Sequence, residues 1–461
     1  MANHSAPLVV IDVVGLTPAL LGEHTPHLNA LAADGFRAEL GAVLPAVTCT
    51  AQATMLTGHL PRDHGIVANG WYFRELAEVR FWHQANPLVG MPKVWEIARD
   101  RQPGFTCANL FWWYNMYSTV DWSVTPRPVY PADGRKIPAL YSEPIDLARQ
   151  LTAELGDFPF FDFWGPKAGI RSSEWIARAA RACFDRHRPD LTFVYLPHLD
   201  YNLQRLAPHH PAIAADLGAV DRVAGALIDH VRGQGAEVVV VSEYGITEAT
   251  GGLHINRALR EAGLLRVQET VAGELLDAGA SRAFAVADHQ VAHVYVRDRE
   301  EIAKVKAILE CGDGIERVLD AEGKCAAGLD HGRAGELVAI AEPGHWFTYY
   351  YWLDDARAPD FARTVDIHRK PGYDPAELFL DPDRPLVKGR IAWRLVQKRL
   401  GMRYLMDVIP LRADLVKGTH GRLPDRPEDG PVLLCSNRGS ACERLAMTGV
   451  RDFLLAQLGL E

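Results

Sequence analysis

Basic residues are not in excess in this 461-residue chain: 49 Lys and Arg stand against 58 Asp and Glu, for a net charge of -9. Without a basic footprint, nucleic acid is not an expected partner. Long apolar runs are also missing, so no membrane span is predicted. The start, Met1 to Ala6 followed by Leu8-Val9-Val10-Ile11, has no basic n-region and no long apolar core, and no signal peptide is expected. Cysteine is scarce: seven residues, dispersed and with no CxxC pair. Such an odd, scattered set fits reduced thiols and a cytoplasmic location, not a disulfide framework. The chain also lacks HExxH, a GxxxxGKS/T phosphate loop, GxGxxG after a strand and a GxSxG elbow. Zincin, P-loop, dinucleotide-binding and α/β-hydrolase chemistries therefore have no motif to rest on. Internal repeats and low-complexity tracts are absent, and nothing in the sequence signals an oligomeric state.

What is present is an ordinary globular composition, 48% hydrophobic and 23% charged. Apolar, β-branched runs alternate with helical patterns. Pro7–Asp12, Asp190–Leu196, Ala236–Ser242 and Pro431–Cys435 read as strands; Pro211–Val231 and Ala441–Leu458 read as helices, and Thr25-Pro26 opens another. Continuous Val-rich strands between helices predict an α/β fold with a mostly parallel central sheet and helices on both faces. One domain over 1–461 is expected. Two stretches, about 112–171 and 264–417, break the rhythm and are read as inserted cap segments. The aromatic run Trp346–Trp352 in the second is expected in a core.

In an open parallel sheet, ligands bind beyond the carboxyl ends of the strands. Asp12 ends the first strand, Asp200 follows the strand closing at Leu196, and Glu243 follows Ser242. One such carboxylate would be a helix cap; three on one edge favour a cation, because buried carboxylates need compensating charge. Leu44 to Gly58 joins a strand end to a helix beginning near Thr48. A hydroxyl there is either an N-cap or a nucleophile beside a ready phosphate site. His64 to Gly70 adds the side-chain amide of Asn69, also an ordinary turn residue.

Together these pieces resemble the alkaline phosphatase superfamily, nearest its nucleotide pyrophosphatase/phosphodiesterase and phosphonoacetate hydrolase branches. The resemblance runs through Val10 to Gly15, Thr48 to Gly58, Leu60 to Ile66 with Asn69, Asp200, Val240 to Gly245 and Gly418 to Gly421. It implies an alkaline phosphatase-like fold and a divalent two-metal site, with zinc as the family's metal. Asp12 and Thr48 would contact one metal, with Thr48 as nucleophile; Asp200 and His420 would hold the other; Asn69 would donate to a phosphoryl oxygen.

The chain departs from that pattern at two places. A histidine expected four residues after Asp200 is Gln204, and an expected Asp-His is Glu243-Tyr244. Glu243 can replace an aspartate, whereas Tyr244 could ligate only as a phenolate. An oxygen-rich shell would suit manganese or magnesium, unless another histidine joins. His254, His289, His331 and His368 are the candidates, and His368 is preferred because Asp366 could orient it. In the loop Asp366 to Asp374, Arg369 and Lys370 are candidate phosphate contacts, against the plainer reading of a salt-bridged turn. The expected function is metal-dependent hydrolysis of a small phosphodiester, pyrophosphate or phosphonate through Thr48. A phosphomonoesterase or phosphoryl transferase on the same scaffold, and a degenerate non-catalytic ligand-binding member, are the alternatives.

Overall fold

The computed structural model describes residues 6–132 and 136–461; Met1–Ser5, on which the leader reading partly rests, and 133–135 of the first inserted segment lie outside. The opening strand, Leu8–Val13, is fully buried and pairs in parallel with Leu191–Leu196 on one side and Glu237–Val241 on the other. Both neighbours are continuous apolar runs, as expected of strands covered on two faces. Nine strands form the sheet, and the opening strand is fifth from either edge. Most pairings are parallel; Val432–Cys435 runs antiparallel to both of its neighbours, and Leu140–Glu143 is an antiparallel edge. Helices Pro26–Asp34, Ile170–His187 and Ile213–Arg232 pack against one another. Thr48–Thr57, Val94–Arg101 and Val450–Gln457 form a second group. The result is a mostly parallel central sheet between helices, with smaller sheets added.

The segment 441–458 is not helical throughout. Arg444–Ala446 adds an edge strand in parallel to Phe36–Gly41, and the helix begins only at Val450. Pairing with the exposed sheet edge prevails over helical propensity there. The larger inserted segment builds a four-stranded antiparallel sheet from Ala283–Asp288, Val291–Val296, Ile315–Leu319 and Leu337–Ala341. Its hairpin turn, Asp288 to Val291, reaches the end of the main sheet. The aromatic run Trp346–Trp352 is buried throughout, in line with a core role.

Candidate functional site

Three main-sheet connections deliver the carboxylates. Asp12 pairs with Val241 across the sheet, and the chain leaves that strand through Ser242 into Glu243. The Ser242 hydroxyl donates to the Leu16 carbonyl at 2.7 Å and accepts from the Val432 N–H at 2.9 Å, which fixes the turn that aims Glu243 inward. Asp200 lies in the first turn of the helix His198–Leu206, directly after Leu191–Leu196, with Gln204 one turn on along the same face.

Thr48 opens the helix Thr48–Thr57, whose N-terminus presents free backbone N–H groups and a favourable dipole to an anion. Asn69 Oδ1 accepts from the Cys49 N–H at 2.9 Å. The Asn69 backbone N–H and side-chain amide donate to the two oxygens of Asp288, at 2.7 and 3.1 Å. A carboxamide has two N–H groups, so Asn69 keeps one for another acceptor. His420 reaches the site from a loop closed by Gly421, whose φ of +122° suits glycine and whose Cβ would meet the Gln290 nitrogen at 2.9 Å.

These side chains form one hydrogen-bonded set. Thr48 Oγ1 lies 3.2 Å from the Tyr244 hydroxyl, which lies 3.2 Å from Asp200 Oδ1. Gln204 Nε2 donates to Asp200 Oδ2 at 2.7 Å, and the Tyr373 hydroxyl donates to Gln204 Oε1 at 3.1 Å. Gln52 Nε2 donates to Glu243 Oε1 at 2.6 Å and Asp12 Oδ2 at 3.2 Å. The Trp113 N–H donates to Gln52 Oε1 at 2.7 Å, which leaves the Gln52 NH₂ no direction but the carboxylates. The His420 Nδ1–H faces the Ala46 carbonyl at 2.7 Å, so Nε2 carries the lone pair. The His420 ring stacks on Tyr244 with centroids 3.6 Å apart, and the ring of His289, one of the candidate histidines, lies tilted against His420 at 3.6 Å.

Burial dominates the electrostatics. It raises Asp12 well above the carboxylate range, assisted by the charge of Glu243, and raises Glu243 itself. The two share a strong preference for at least one proton or a cation. Asp200 is pushed up to about 7 by burial, against the opposing hydrogen bond from Gln204. Burial also keeps Tyr244 a phenol and lowers His420 to about 3, so that its imidazole is neutral.

The orphaned atoms give a test of metal fit. Asp12 Oδ1, Glu243 Oε2 and His420 Nε2 are buried without a hydrogen-bond partner. With the Thr48 hydroxyl, the first two form an oxygen donor set suited to one hard cation. The second position is thinner: Asp200 and His420 Nε2, 3.9 Å from each other, with Gln204 presenting its N–H groups rather than its oxygen. Among the described residues no group of three or more His, Cys, Asp or Glu side chains is placed to hold one metal ion by itself. The residues therefore fit one hard cation at Asp12, Thr48 and Glu243, and do not reproduce an imidazole-rich pair of sites.

Asp12, Thr48, Asp200, Glu243 and His420 thus lie together, with Asn69 at the helix start. Other expected residues lie apart. His368 lines the same large cavity, half-buried, and makes no hydrogen bond or ion pair with Asp12, Asp200 or Glu243. Its ring is lowered to about 4 by burial and by Lys136, with its N–H toward the Phe81 carbonyl. Arg369 also lines the cavity, 3.4 Å from Asp366. Lys370 faces the other way: it is 1% exposed, with Nζ 2.7 Å from Asp374 and 2.8 Å from Glu377. A lysine between two buried carboxylates cannot also reach a substrate, so Lys370 holds the loop rather than the phosphate. His254 pairs with Thr348 at 2.8 Å, and His331 lies beside Gly65. Gln52, Asp288 and Tyr373 were not foreseen. Gln52 had a signal, being one helical turn after Thr48; Asp288 and Tyr373 reach the site only through tertiary contacts of the inserted segment.

The site opens into a cavity of about 1280 Å³, larger than ordinary small-molecule pockets. Seven Lys or Arg side chains line it against three Asp, an excess that suits an anionic ligand.

The family described as Type I phosphodiesterase / nucleotide pyrophosphatase matches residues 8–374. Among solved structures, phosphonoacetate hydrolase from Sinorhizobium meliloti 1021 in complex with phosphonoacetate aligns with a TM-score of 0.65 and 16% identity, over 99% of this chain and 96% of that one. Murine ectonucleotide pyrophosphatase/phosphodiesterase 5, an inactive variant in complex with AMP, aligns at 0.59 and 14%, over 99% and 96%. At these identities the likeness to the solved structures is one of fold. Comparison with curated protein sequences found no match.

Proposed function

Because the chain belongs to the type I phosphodiesterase/nucleotide pyrophosphatase family of hydrolases, we propose that it cleaves a small phosphodiester, pyrophosphate or phosphonate through Thr48. The observation that carries this reading is the chain Thr48–Tyr244–Asp200 at the inner end of a cation-rich cavity. The Thr48 hydroxyl donates to the Tyr244 oxygen while Tyr244 donates to Asp200. As Thr48 Oγ1 bonds to phosphorus and the leaving oxygen or carbon departs, its proton passes to Tyr244 and the Tyr244 proton passes to Asp200. Asp200, pushed up to about 7, is suited to take a proton near neutrality. Water then displaces Thr48 from phosphorus, and the proton returns along the same path. Asn69, anchored by Asp288, has an N–H for a non-bridging oxygen, beside the helix N-terminus. A divalent cation held by Asp12, Thr48 and Glu243 would neutralise the carboxylate pair and acidify the hydroxyl; magnesium or manganese suits that oxygen set better than zinc.

The thin second metal position favours one alternative, a member that binds a phosphorylated ligand without turnover. Phosphomonoester hydrolysis or phosphoryl transfer would use the same groups. Assays on bis(p-nitrophenyl) phosphate, p-nitrophenyl phosphate and phosphonoacetate, with magnesium, manganese or zinc, separate these readings. Thr48→Ala is expected to lower turnover by about a thousandfold or more while melting as wild type does. Full activity in that variant would make Thr48 a helix-starting residue only.

A further inference from the structure

The cavity above Thr48 is segregated by charge. Every Lys and Arg side chain that lines it is exposed or half-buried. Its buried lining, which holds Thr48, Asp200, Tyr244, His289 and His420, contains no Lys or Arg. A cation meant for the scissile phosphoryl group would stand beside Thr48, where charge develops. These stand at the mouth. Aromatic rings carry the wall outward from one end to the other: half-buried Trp82 packs on Trp113 with centroids 4.8 Å apart, and half-buried Trp164 on Tyr373 at 5.7 Å.

The helix Val387–Arg399 and the loop after it supply the densest part of that mouth. Ile391, Leu395, Lys398 and Arg399, spaced i, i+4, i+7 and i+8, turn one face to the cavity, and Arg403 extends it. From Leu386 to Met406 there are six Lys or Arg residues and no Asp or Glu. Arg390 and Arg394 are tied to Asp407. The side chains of Lys398, Arg399 and Arg403 make no ion pair or hydrogen bond among the described residues. Of the acids on the outer wall, Asp366 lies 3.4 Å from Arg369, which leaves Asp360 alone against the other cations. Cations in a last helical turn commonly serve the helix dipole. Arg403 lies past the helix end and lines the cavity all the same.

At about 1280 Å³ the cavity exceeds what a lone phosphate or small phosphonate fills. We propose that the substrate carries a second anionic group, a phosphate or a carboxylate, joined to the scissile phosphorus by a spacer that crosses the rings, and that Lys398, Arg399 and Arg403 bind it. Two guanidinium forks and an ammonium suit a phosphate best. The proposal rests on the reading of Thr48 as the reacting end. Steering of anions into the cavity would treat one charged group and two alike in kind; a distal subsite rewards the second group once the spacer reaches it.

Calorimetric titration of the full chain, in excess magnesium, tests it with hexylphosphonate and with propane-, hexane- and nonane-α,ω-bisphosphonate. The hexane or nonane compound is expected to bind about tenfold or more tighter than hexylphosphonate, beyond the factor of about two that two equal ends give. In Arg399→Gln/Arg403→Gln, which changes two exposed side chains, the gain should shrink to about twofold. ω-Carboxyhexylphosphonate separates the two anions: an equal gain admits carboxylates, and none assigns the subsite to phosphate. No gain at any length, or a gain that the variant keeps, would overturn the proposal. Turnover of bis(p-nitrophenyl) phosphate by wild type without the gain removes the distal subsite alone. The gain without turnover leaves the subsite and removes Thr48 as nucleophile.

Discussion

Two buried acid clusters stand out among the described residues, and one of them is closed by a cation. In the inserted segment, Asp374 and Glu377 hold Lys370 between them; Glu377 Oε1 also accepts from the Asp366 N–H, and the other two oxygens accept from the Ala376 N–H and the Trp164 indole. At the end of the main sheet, Asp12, Asp200 and Glu243 receive only neutral donors: Gln52, Gln204 and Tyr244. Burial raises Asp374 in the first and all three carboxylates in the second. In the first, the charge of Lys370 opposes burial at Asp374, and Lys370 is itself carried above its ordinary value by its partners in spite of burial. In the second, two carboxylate oxygens and an imidazole nitrogen remain without partners. A satisfied cluster specifies structure; an unsatisfied one is held in place by the fold and is available to a ligand.

Removing the lysine should make the first cluster resemble the second. Lys370→Met leaves two buried carboxylates unpaired and is expected to destabilise the protein by about 3–5 kcal/mol. The fall in chemical-denaturation midpoint measures it. Adding Asp374→Asn and Glu377→Gln should recover much of the loss, because the uncompensated charge is then gone. Without recovery, the lysine acts through packing of its stem alone.

Tyr244→Phe probes the second cluster where it is chemically distinctive. The variant keeps the ring that stacks on His420 but breaks the link from Thr48 to Asp200. A fall in kcat of roughly 10–100-fold with little change in KM is expected if the hydroxyl passes a proton during the reaction. Equal loss in KM and none in kcat would reduce Tyr244 to a binding contact.

The main-sheet side of this contrast was legible in the sequence. The positions of Asp12, Thr48, Asp200 and Glu243 follow strand ends, and strand ends are set by local apolar runs. That Lys370 turns inward while adjacent Arg369 lines the cavity was not legible, because Asp374 and Glu377 recruit the lysine only once the loop is folded. The same holds for Tyr373, which orients Gln204 across 169 residues of sequence. The region Ala441–Leu458 was read as one helix because its short edge strand owes its existence to a neighbouring strand.

Glu243→Gln sharpens the comparison from the side of the ligand. An amide in place of one member of a repelling buried pair should stabilise the metal-free protein by about 1 kcal/mol. Thermal melts in EDTA read this. Added magnesium or manganese is expected to raise the wild-type melting temperature and to leave the variant nearly unmoved. An equal metal response in both proteins would take Glu243 out of the cation site.

The smallest effect comes from acid, and it sets two carboxylates against each other by sign. Asp200 is raised to about 7 by burial, so its contribution to metal-free stability is full below about 4 and is lost as pH rises toward 7. Asp407, which anchors the helix Val387–Arg399, behaves oppositely. Burial alone would raise it, but hydrogen bonds from Arg390 and Arg384 outweigh this and hold it at about 2. Its contribution is therefore present above the unfolded value near 3.8 and fades as pH falls toward 2. Because Arg384, Arg390 and Arg394 all converge on this one carboxylate, protonation loosens a single segment. Hydrogen exchange over residues 381–407 should therefore quicken a few-fold between pH 5 and pH 3, after correction for intrinsic rates, while the strand Leu8–Val13 stays protected. In Asp407→Asn that segment should exchange fast at both pH values. If wild type and variant respond alike to acid, the arginines are held by other contacts and Asp407 does not anchor the helix.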